Sequence, residues 1–424
     1  MKRAKRIALL LCAAVLLPGI ARAEPEAAPA APQLISETAV LMDAKTGQVL
    51  YNKNMDQQMF PASITKIMTT ILAVEECKLT DPIVMSEEAV DAVSRSASHI
   101  ALTADEQITV EEAIYAALLV SANDACNGIA EKVSGSMDAF ARHMTEKAAE
   151  FGAKHTHFNN SNGLKDPEHY TTAYDMAAIT RHGLQNPTWR KMFGTLRYDM
   201  PANNKQKDVR ILYNQHSMIS DNRYYYKGII GGKAGYTTAA KYTLVTAAER
   251  DGTELIAVVM KSPKNVDKYT DTKALLDYGF EAFQSVRIED SMLPTRTVTT
   301  TGADGATQDY TVSLSQPVTV RIPQGADAAQ IEKRVEMRDG VATLTLTLTQ
   351  NSGTTPQELG SFPLTAAFVP AVAETQPVAA GASVWKRVLL VAGVLLGLLA
   401  LFVAVIYIRK EIYLRRRRAR RRRY

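Results

Sequence analysis

The sequence predicts a mixed α/β (α+β) domain with a mostly helical subdomain, followed by a small β-rich domain and one transmembrane helix. Three observations carry this architecture. Residues 34 to 285 mix apolar helical periodicity with β-rich runs, and residues 286 to 369 change to Thr-rich alternation broken by Gly and Pro. Residues 388 to 408 then run for 21 positions without a charge. At 424 residues the chain has room for two folded units plus accessory segments, and its 46% hydrophobic and 22% charged content excludes a disordered chain, collagen and a coiled-coil rod.

Residues 1 to 23 read as a signal peptide. Lys2, Arg3, Lys5 and Arg6 precede an apolar run from Ile7 to Leu17, and Ala21-Arg22-Ala23 offers small residues at the two positions a signal peptidase needs, so the mature chain is expected to start at Glu24. The run is short for an uncleaved spanning helix, and Leu11 before Cys12 argues against lipidation. Residues 24 to 33 form an Ala/Pro-rich tether.

The main domain, residues 34 to 285, opens with a hairpin in which Ala39–Met42 and Gln48–Tyr51 flank a turn holding Asp43 and Gly47. Pro61-Ala62 stops the extended chain, and Ser63 opens an apolar helix through Ile67, Met68, Ile71 and Leu72. Thr109 with Glu112 spells a capping box for a helix through Ala113, Ile114, Ala117 and Leu118. The stretch Val120 to Asp124 reads as a break before a further apolar helix, and Tyr242–Arg250 and Thr253–Met260 form a hairpin around Asp251-Gly252.

In residues 286 to 369 the runs Thr297–Thr301, Tyr310–Leu314, Val318–Ile322 and Val341–Leu348 make a small β-rich domain. Residues 370 to 387 form a linker, residues 388 to 408 the transmembrane helix and residues 409 to 424 an Arg-rich tail. The tail outweighs Lys386 and Arg387 in basic charge, so the C-terminus is expected to be cytoplasmic and the body extracytoplasmic, as a single-pass protein of the cell membrane. The Arg block reads as a topology signal that also attracts anionic lipid.

The formal net charge of +5 belongs to the ends. Residues 24 to 408 hold 34 basic and 43 acidic side chains, a net of −9, which excludes a nucleic-acid-binding body. After cleavage only Cys77 and Cys126 remain, as free thiols or one bridge.

Chemistry is expected at a few special positions. Ser63-Ile64-Thr65-Lys66 puts a hydroxyl at a helix start and an amine one turn later on the same face. Such a hydroxyl becomes a nucleophile only if a base takes its proton, and a lysine serves only if burial or a second cation lowers its pKa. Lys233 is the candidate for that second cation. The N-terminal end of the helix offers free N–H groups toward an oxyanion. Alone, each string is ordinary: S-x-x-K is a common helix face, and Ser121-x-Asn123 a common N-cap turn. Gly231 to Gly235 is not a phosphate loop, because Lys227 stands where the first Gly is needed and Ala234 follows the lysine. His155 and His157 lack the carboxylate that would complete a metal site, Asp175 is expected to cap the helix after it, and Tyr224-Tyr225-Tyr226 to pack as strand or groove wall.

Taken in order, Ser63-x-x-Lys66, Ser121-x-Asn123 and Lys233-Ala234-Gly235 resemble the three signature motifs of penicillin-recognising serine enzymes. The surrounding strings are Pro61-Ala62-Ser63-Ile64-Thr65-Lys66-Ile67-Met68-Thr69, His169-Tyr170-Thr171-Thr172-Ala173-Tyr174-Asp175-Met176-Ala177 and Gly232-Lys233-Ala234-Gly235-Tyr236-Thr237. They narrow the resemblance, over about residues 34 to 285, to the D-alanyl-D-alanine carboxypeptidases, the low-molecular-mass penicillin-binding proteins. The resemblance implies a serine β-lactamase/transpeptidase-like domain that removes the terminal D-alanine of a peptidoglycan pentapeptide, is inhibited by β-lactams and uses no cofactor or metal. Carried over residue by residue, Ser63 is the nucleophile, Lys66 the general base, Ser121 a proton relay and Asn123 a holder of the substrate amide. Lys233, Ala234, Gly235, Thr237 and Lys268 would bind substrate, with Lys233 also setting the site's potential, and the N–H groups of Ser63 and of a residue near Thr237 would form the oxyanion hole. Two positions depart from the family's pattern: Ala234 stands where Thr is usual, and Lys268 where an arginine is. The alternatives are a β-lactamase, for which the added domain and anchor are unnecessary, and a non-catalytic wall-binding scaffold.

Overall fold

The computed structural model describes residues 29–220, 223–301, 306–349, 356–369 and 382–420. The expected signal peptide, the first five residues of the tether, residues 370–381 of the linker and the last four of the tail lie outside them. The chain divides into two compact units, one reaching to Val298 and joined by Thr311–Ala366, the other made of Thr299–Tyr310 and the chain from Ala367.

The centre of the first unit is a five-stranded antiparallel sheet. Strands β1 (Thr38–Asp43), β2 (Val49–Lys53), β3 (Ile229–Thr237), β4 (Lys241–Arg250) and β5 (Thr253–Ser262) lie in the order β2-β1-β5-β4-β3, so β3 is an edge strand. Successive side chains of a strand point to opposite faces, and both faces here are covered. Val40 and Met42 of β1 join a core with Ile67, Ile71 and Met176, while Ala39 and Leu41 join another with Leu275 and Leu276. That two-sided burial explains why β1 reads as an unbroken apolar run rather than an alternating one. The hairpin at Asp251-Gly252 has φ of 52° and 76° at its two turn residues, the left-handed pair that a tight two-residue turn requires.

The first core is helical. It contains α1 (Lys66–Glu76), α2 (Val110–Leu119), α3 (Asn123–Ser134), α4 (Met137–Glu150) and α5 (Ala173–Leu184), whereas α6 (Asn265–Glu281) covers the other face of the sheet. Both bonds of the capping box expected at Thr109 and Glu112 are made.

In the β-rich part of this unit, Phe283–Ile288 pairs with Val318–Pro323, and Ile331–Arg338, Val341–Leu348 and the stretch from Gln357 to Leu364 form an antiparallel meander. Ala342, Leu344, Leu346 and Leu348 point into a third core and the intervening threonines point away, the period-two pattern read from the sequence. In the second unit, the helix Ala382–Arg420 contains an apolar stretch, Lys386–Leu414, long enough to cross a membrane.

Candidate active site

Pro61 precedes Ala62, which takes a left-handed φ of 53°, and Ala62–Thr65 coil as a 3-10 turn running directly into α1. Ser63 therefore lies in the turn before the helix rather than at the helix start expected from the sequence, and Lys66 is the first residue of α1. The three-residue spacing still brings the two side chains together, with Lys66 Nζ 3.1 Å from Ser63 Oγ. The same amine donates to Asn123 Oδ1 at 2.7 Å and to the Asn162 carbonyl at 2.6 Å. Lys66 is fully buried, and burial lowers its pKa to about 8.

Between α2 and α3 the chain breaks at Val120–Ala122, as expected. Ser121 adopts a left-handed φ of 62°, and its hydroxyl is buried with no hydrogen-bond partner among the described residues. Asn123 opens α3, so its amide oxygen is delivered to Lys66 by a helix end. Its backbone N–H donates to the Ser98 carbonyl, while the buried Asp124 carboxylate accepts from the N–H groups of Ile100 and Leu102. These bonds hold the loop before α2 against the second motif.

The third motif lies on the edge strand β3. The Lys233 amine is buried and donates to the Ala234 carbonyl at 3.1 Å. Burial, followed by the neighbouring Lys66 and Lys268 amines, pushes its pKa well below the ordinary lysine value. Of the two causes the sequence suggests for a lowered Lys66 pKa, burial is the one that leads, and the effect of adjacent amines falls on Lys233. Gly235 is required by close approach, because a Cβ there would meet Thr243 Oγ1 at 2.5 Å and the Ser63 nitrogen at 2.8 Å. Thr237 accepts from the Ala240 N–H through its hydroxyl.

Lys268 stands in the first turn of α6, buried, with its amine 4.9 Å from the Tyr269 ring centre and 5.4 Å from that of Tyr242. Burial brings its pKa to about 8. Ala234 packs against the apolar cluster that contains Tyr269, on the side of β3 opposite to the helical core.

Sequence reasoning missed the second wall of the site. The segment Asn159–Leu164 brings the Asn162 carbonyl to Lys66 and the Ser161 carbonyl to Thr69, and its side chains are pinned by Asn127, which accepts from Ser161 Oγ at 2.9 Å and Asn162 Nδ2 at 3.1 Å. Gly163 in this segment has a φ of 84°, and a Cβ there would lie 1.9 Å from the Ala62 carbonyl oxygen. Asn, Ser and Gly in a row announce a turn, but no side chain announces which backbone carbonyl will face an amine.

Asp175 also differs from expectation. Thr172 caps α5, and the Asp175 carboxylate instead accepts from Thr156 Oγ1 and the His155 N–H, both at 2.7 Å. Tyr224 stacks on Tyr269 at 4.5 Å and Tyr226 donates to Asp277, so these rings pack as a wall in a loop ahead of β3. Cys77 and Cys126 are both free thiols, and burial pushes Cys126 up to about 11.

A family model described as D-alanyl-D-alanine carboxypeptidase, peptidase S11, matches residues 25–264. The chain is 32% identical to D-alanyl-D-alanine carboxypeptidase DacF of Bacillus subtilis over 313 residues, 72% of this chain and 77% of that protein. It is 32% identical to D-alanyl-D-alanine carboxypeptidase DacA of Haemophilus influenzae over 263 residues, covering 60% of this chain and 64% of the relative. Penicillin binding protein 5 of Haemophilus influenzae superposes with a TM-score of 0.64 at 26% identity, over 80% of this chain and 98% of that structure.

Proposed function

Because the chain belongs to the D-alanyl-D-alanine carboxypeptidase family of serine hydrolases, we propose that Ser63 is the nucleophile with which it removes the terminal D-alanine from a peptidoglycan pentapeptide. One observation carries the assignment of the base. The neutral Lys66 amine has two hydrogens, and two of its three partners, Asn123 Oδ1 and the Asn162 carbonyl, can only accept. They take both hydrogens, so the lone pair is left for the third partner, the Ser63 hydroxyl 3.1 Å away.

The reaction then proceeds through this chain's own groups. Ser63 Oγ attacks the carbonyl between the two D-alanines as Lys66 takes its proton, and the oxyanion is held by the N–H of Ser63 and that of a residue near Thr237. The proton passes to the departing amine through Ser121, whose hydroxyl has no competing partner among the described residues. The C–N bond breaks, D-alanine leaves and an ester to Ser63 remains. Lys66, neutral again, deprotonates the water that hydrolyses the ester. Lys233 and Lys268 attract the substrate carboxylate, Asn123 holds the substrate amide, and Ala234 and Gly235 line the strand edge beside it. A β-lactam enters by the same attack, but its leaving amine stays tethered, so the ester persists and the enzyme is inhibited. Residues 388–408, within the apolar helix, anchor the chain in the membrane, with the catalytic part outside and the Arg-rich tail in the cytoplasm.

The test is Ser63→Ala, which removes a hydroxyl and adds no strain. D-alanine release from a pentapeptide and labelling by a fluorescent penicillin should both vanish, since losing a member of such a unit costs several orders of magnitude in rate. Unchanged release would overturn the assignment of the nucleophile. Lys66→Arg should be equally inactive, because a guanidinium does not deprotonate in a protein. Rapid penicillin turnover instead of lasting occupancy would mark a β-lactamase, and no labelling of the unaltered protein would mark a scaffold.

A further inference from the structure

His169 is buried, 1% exposed, and takes no part in the reaction described above. Its ring nevertheless touches both walls of the site. The Asn159 N–H donates to Nδ1 at 3.0 Å, and Nε2 lies 2.9 Å from Thr65 Oγ1. Burial holds the imidazole down to about 3, so the ring is neutral; a neutral ring that accepts at Nδ1 carries its proton on Nε2, which therefore donates to Thr65.

Those two partners are not arbitrary. Thr65 closes the 3-10 turn that holds Ser63 and immediately precedes Lys66. Asn159 begins the segment that presents the Asn162 carbonyl to Lys66 at 2.6 Å. The turn and the segment already meet where Gly163 lies against the Ala62 carbonyl, and the imidazole adds a second clasp between them. Phe158 flanks the ring at 5.5 Å between centres.

We propose that His169 is a positioning residue of the reaction, fixing through Thr65 the separation of Ser63 from Lys66 while fixing through Asn159 the carbonyl that orients the Lys66 amine. This rests on the reading of Ser63 and Lys66 given above. Its chemical consequence falls on proton transfer by Lys66, read most directly in acylation, and not on docking: substrate and penicillin dock against β3 and Asn123, which His169 does not touch, whereas proton transfer from Ser63 depends on the geometry the clasp sets.

The experiment uses the full chain in detergent and a fluorescent penicillin, and measures the dissociation constant of the initial complex separately from the acylation rate constant. Thr65→Val keeps the shape and removes the acceptor; Thr65→Ser keeps the hydroxyl; His169→Phe keeps the ring and removes both bonds. Thr65→Val and His169→Phe should each slow acylation by roughly ten- to a hundredfold with the dissociation constant unchanged within about twofold. Thr65→Ser should acylate normally, and the Thr65→Val, His169→Phe double variant should be no slower than the worse single one. Full acylation by Thr65→Val, equal losses in Thr65→Ser and Thr65→Val, or a loss lying in the dissociation constant would each overturn the proposal. Should His169→Phe not fold, the Thr65 pair decides alone. Labelling that survives Ser63→Ala would instead strike the reading of the nucleophile, so the two failures are distinguishable.

Discussion

Lys66, Lys233 and Lys268 are all buried, and all three have pKa values below the ordinary lysine range. Lys66 acts as a base only when neutral, and its neutral fraction grows as the pH rises through about 8. The acylation rate of the unaltered enzyme should therefore climb between pH 7 and 9 and level off above; a rate flat or falling across that window would exclude Lys66 as the base. Stability follows the same sign. A folded pKa near 8 against 10.5 unfolded means that the unfolded chain binds the extra proton between those values, so the penalty of burying Lys66 is complete below pH 8 and fades toward 10.5.

Also at the residue scale, Ala234 stands where, in the proposed reading, a threonine would offer a hydroxyl to the substrate carboxylate. A hydrogen bond to a charged group contributes about 1.5 to 3 kcal/mol, or roughly ten- to a hundredfold in kcat/KM when made in the transition state. Ala234→Thr should raise kcat/KM for D-Ala-D-Ala peptides. Lys268→Arg should do so more modestly, since a planar fork grips a carboxylate better than a point charge. Ala234 packs on the cluster containing Tyr269, over which the Lys268 amine sits, so the double variant should be less than additive. A fall in activity with Ala234→Thr on every peptide would show a site rebuilt around alanine.

At the scale of elements, the site is the meeting of a turn, two helix starts and a sheet edge, and two glycines permit the approach. Gly235 cannot accept a Cβ without displacing Thr243 or the Ser63 nitrogen, so Gly235→Ala should lose penicillin labelling while α-helical and β-sheet content persists. Normal labelling would mean that β3 stands off from Ser63 in solution. Away from the site, Thr109 caps α2 with both bonds of its box, and Thr109→Ala should lower unfolding stability by about 1 kcal/mol without changing acylation. This cap, the Asp251-Gly252 turn and the break at Ser121 were all legible in the sequence, because each depends on residues within a few positions of one another. The cap of α5 was misread for an equally local reason: Thr172 and Asp175 both suit a helix start, and only the nearby Thr156 and His155 show that the carboxylate is engaged elsewhere.

At the scale of the molecule, the β-rich part is joined to the main sheet through Gln48, whose amide donates to the Arg321 carbonyl at 2.6 Å and accepts from the Arg321 N–H at 2.8 Å. The Arg321 guanidinium bonds Thr253 across the same junction and Ser285 on its own neighbouring strand. Gln48→Ala leaves that buried N–H unpaired and should lower the unfolding midpoint by the equivalent of about 2 kcal/mol, while acylation stays normal in folded protein. An unchanged midpoint would show that the junction holds without this pair. The residues proposed as catalytic all precede the apolar helix, so the chain from 24 to 383 should be soluble and release D-alanine; loss of activity on truncation would show that the helix does more than anchor. Local pattern determined the capped start of α2, the turn at Asp251-Gly252 and an apolar stretch long enough to cross a membrane, because helix spacing and turn chemistry act over a few residues; the roles proposed for Ser63, Lys66, Ser121, Asn123 and Lys233 rest on the resemblance of the three motifs taken together. Only the tertiary structure decided that the Asn162 carbonyl, 96 positions from Lys66, takes one of its hydrogens, and that His169, 104 positions from Thr65, bonds the turn that holds Ser63. The first is a backbone contact, and a carbonyl is the same in every residue. The second joins a buried histidine to a threonine whose side chains carry no sign of each other until the chain has folded.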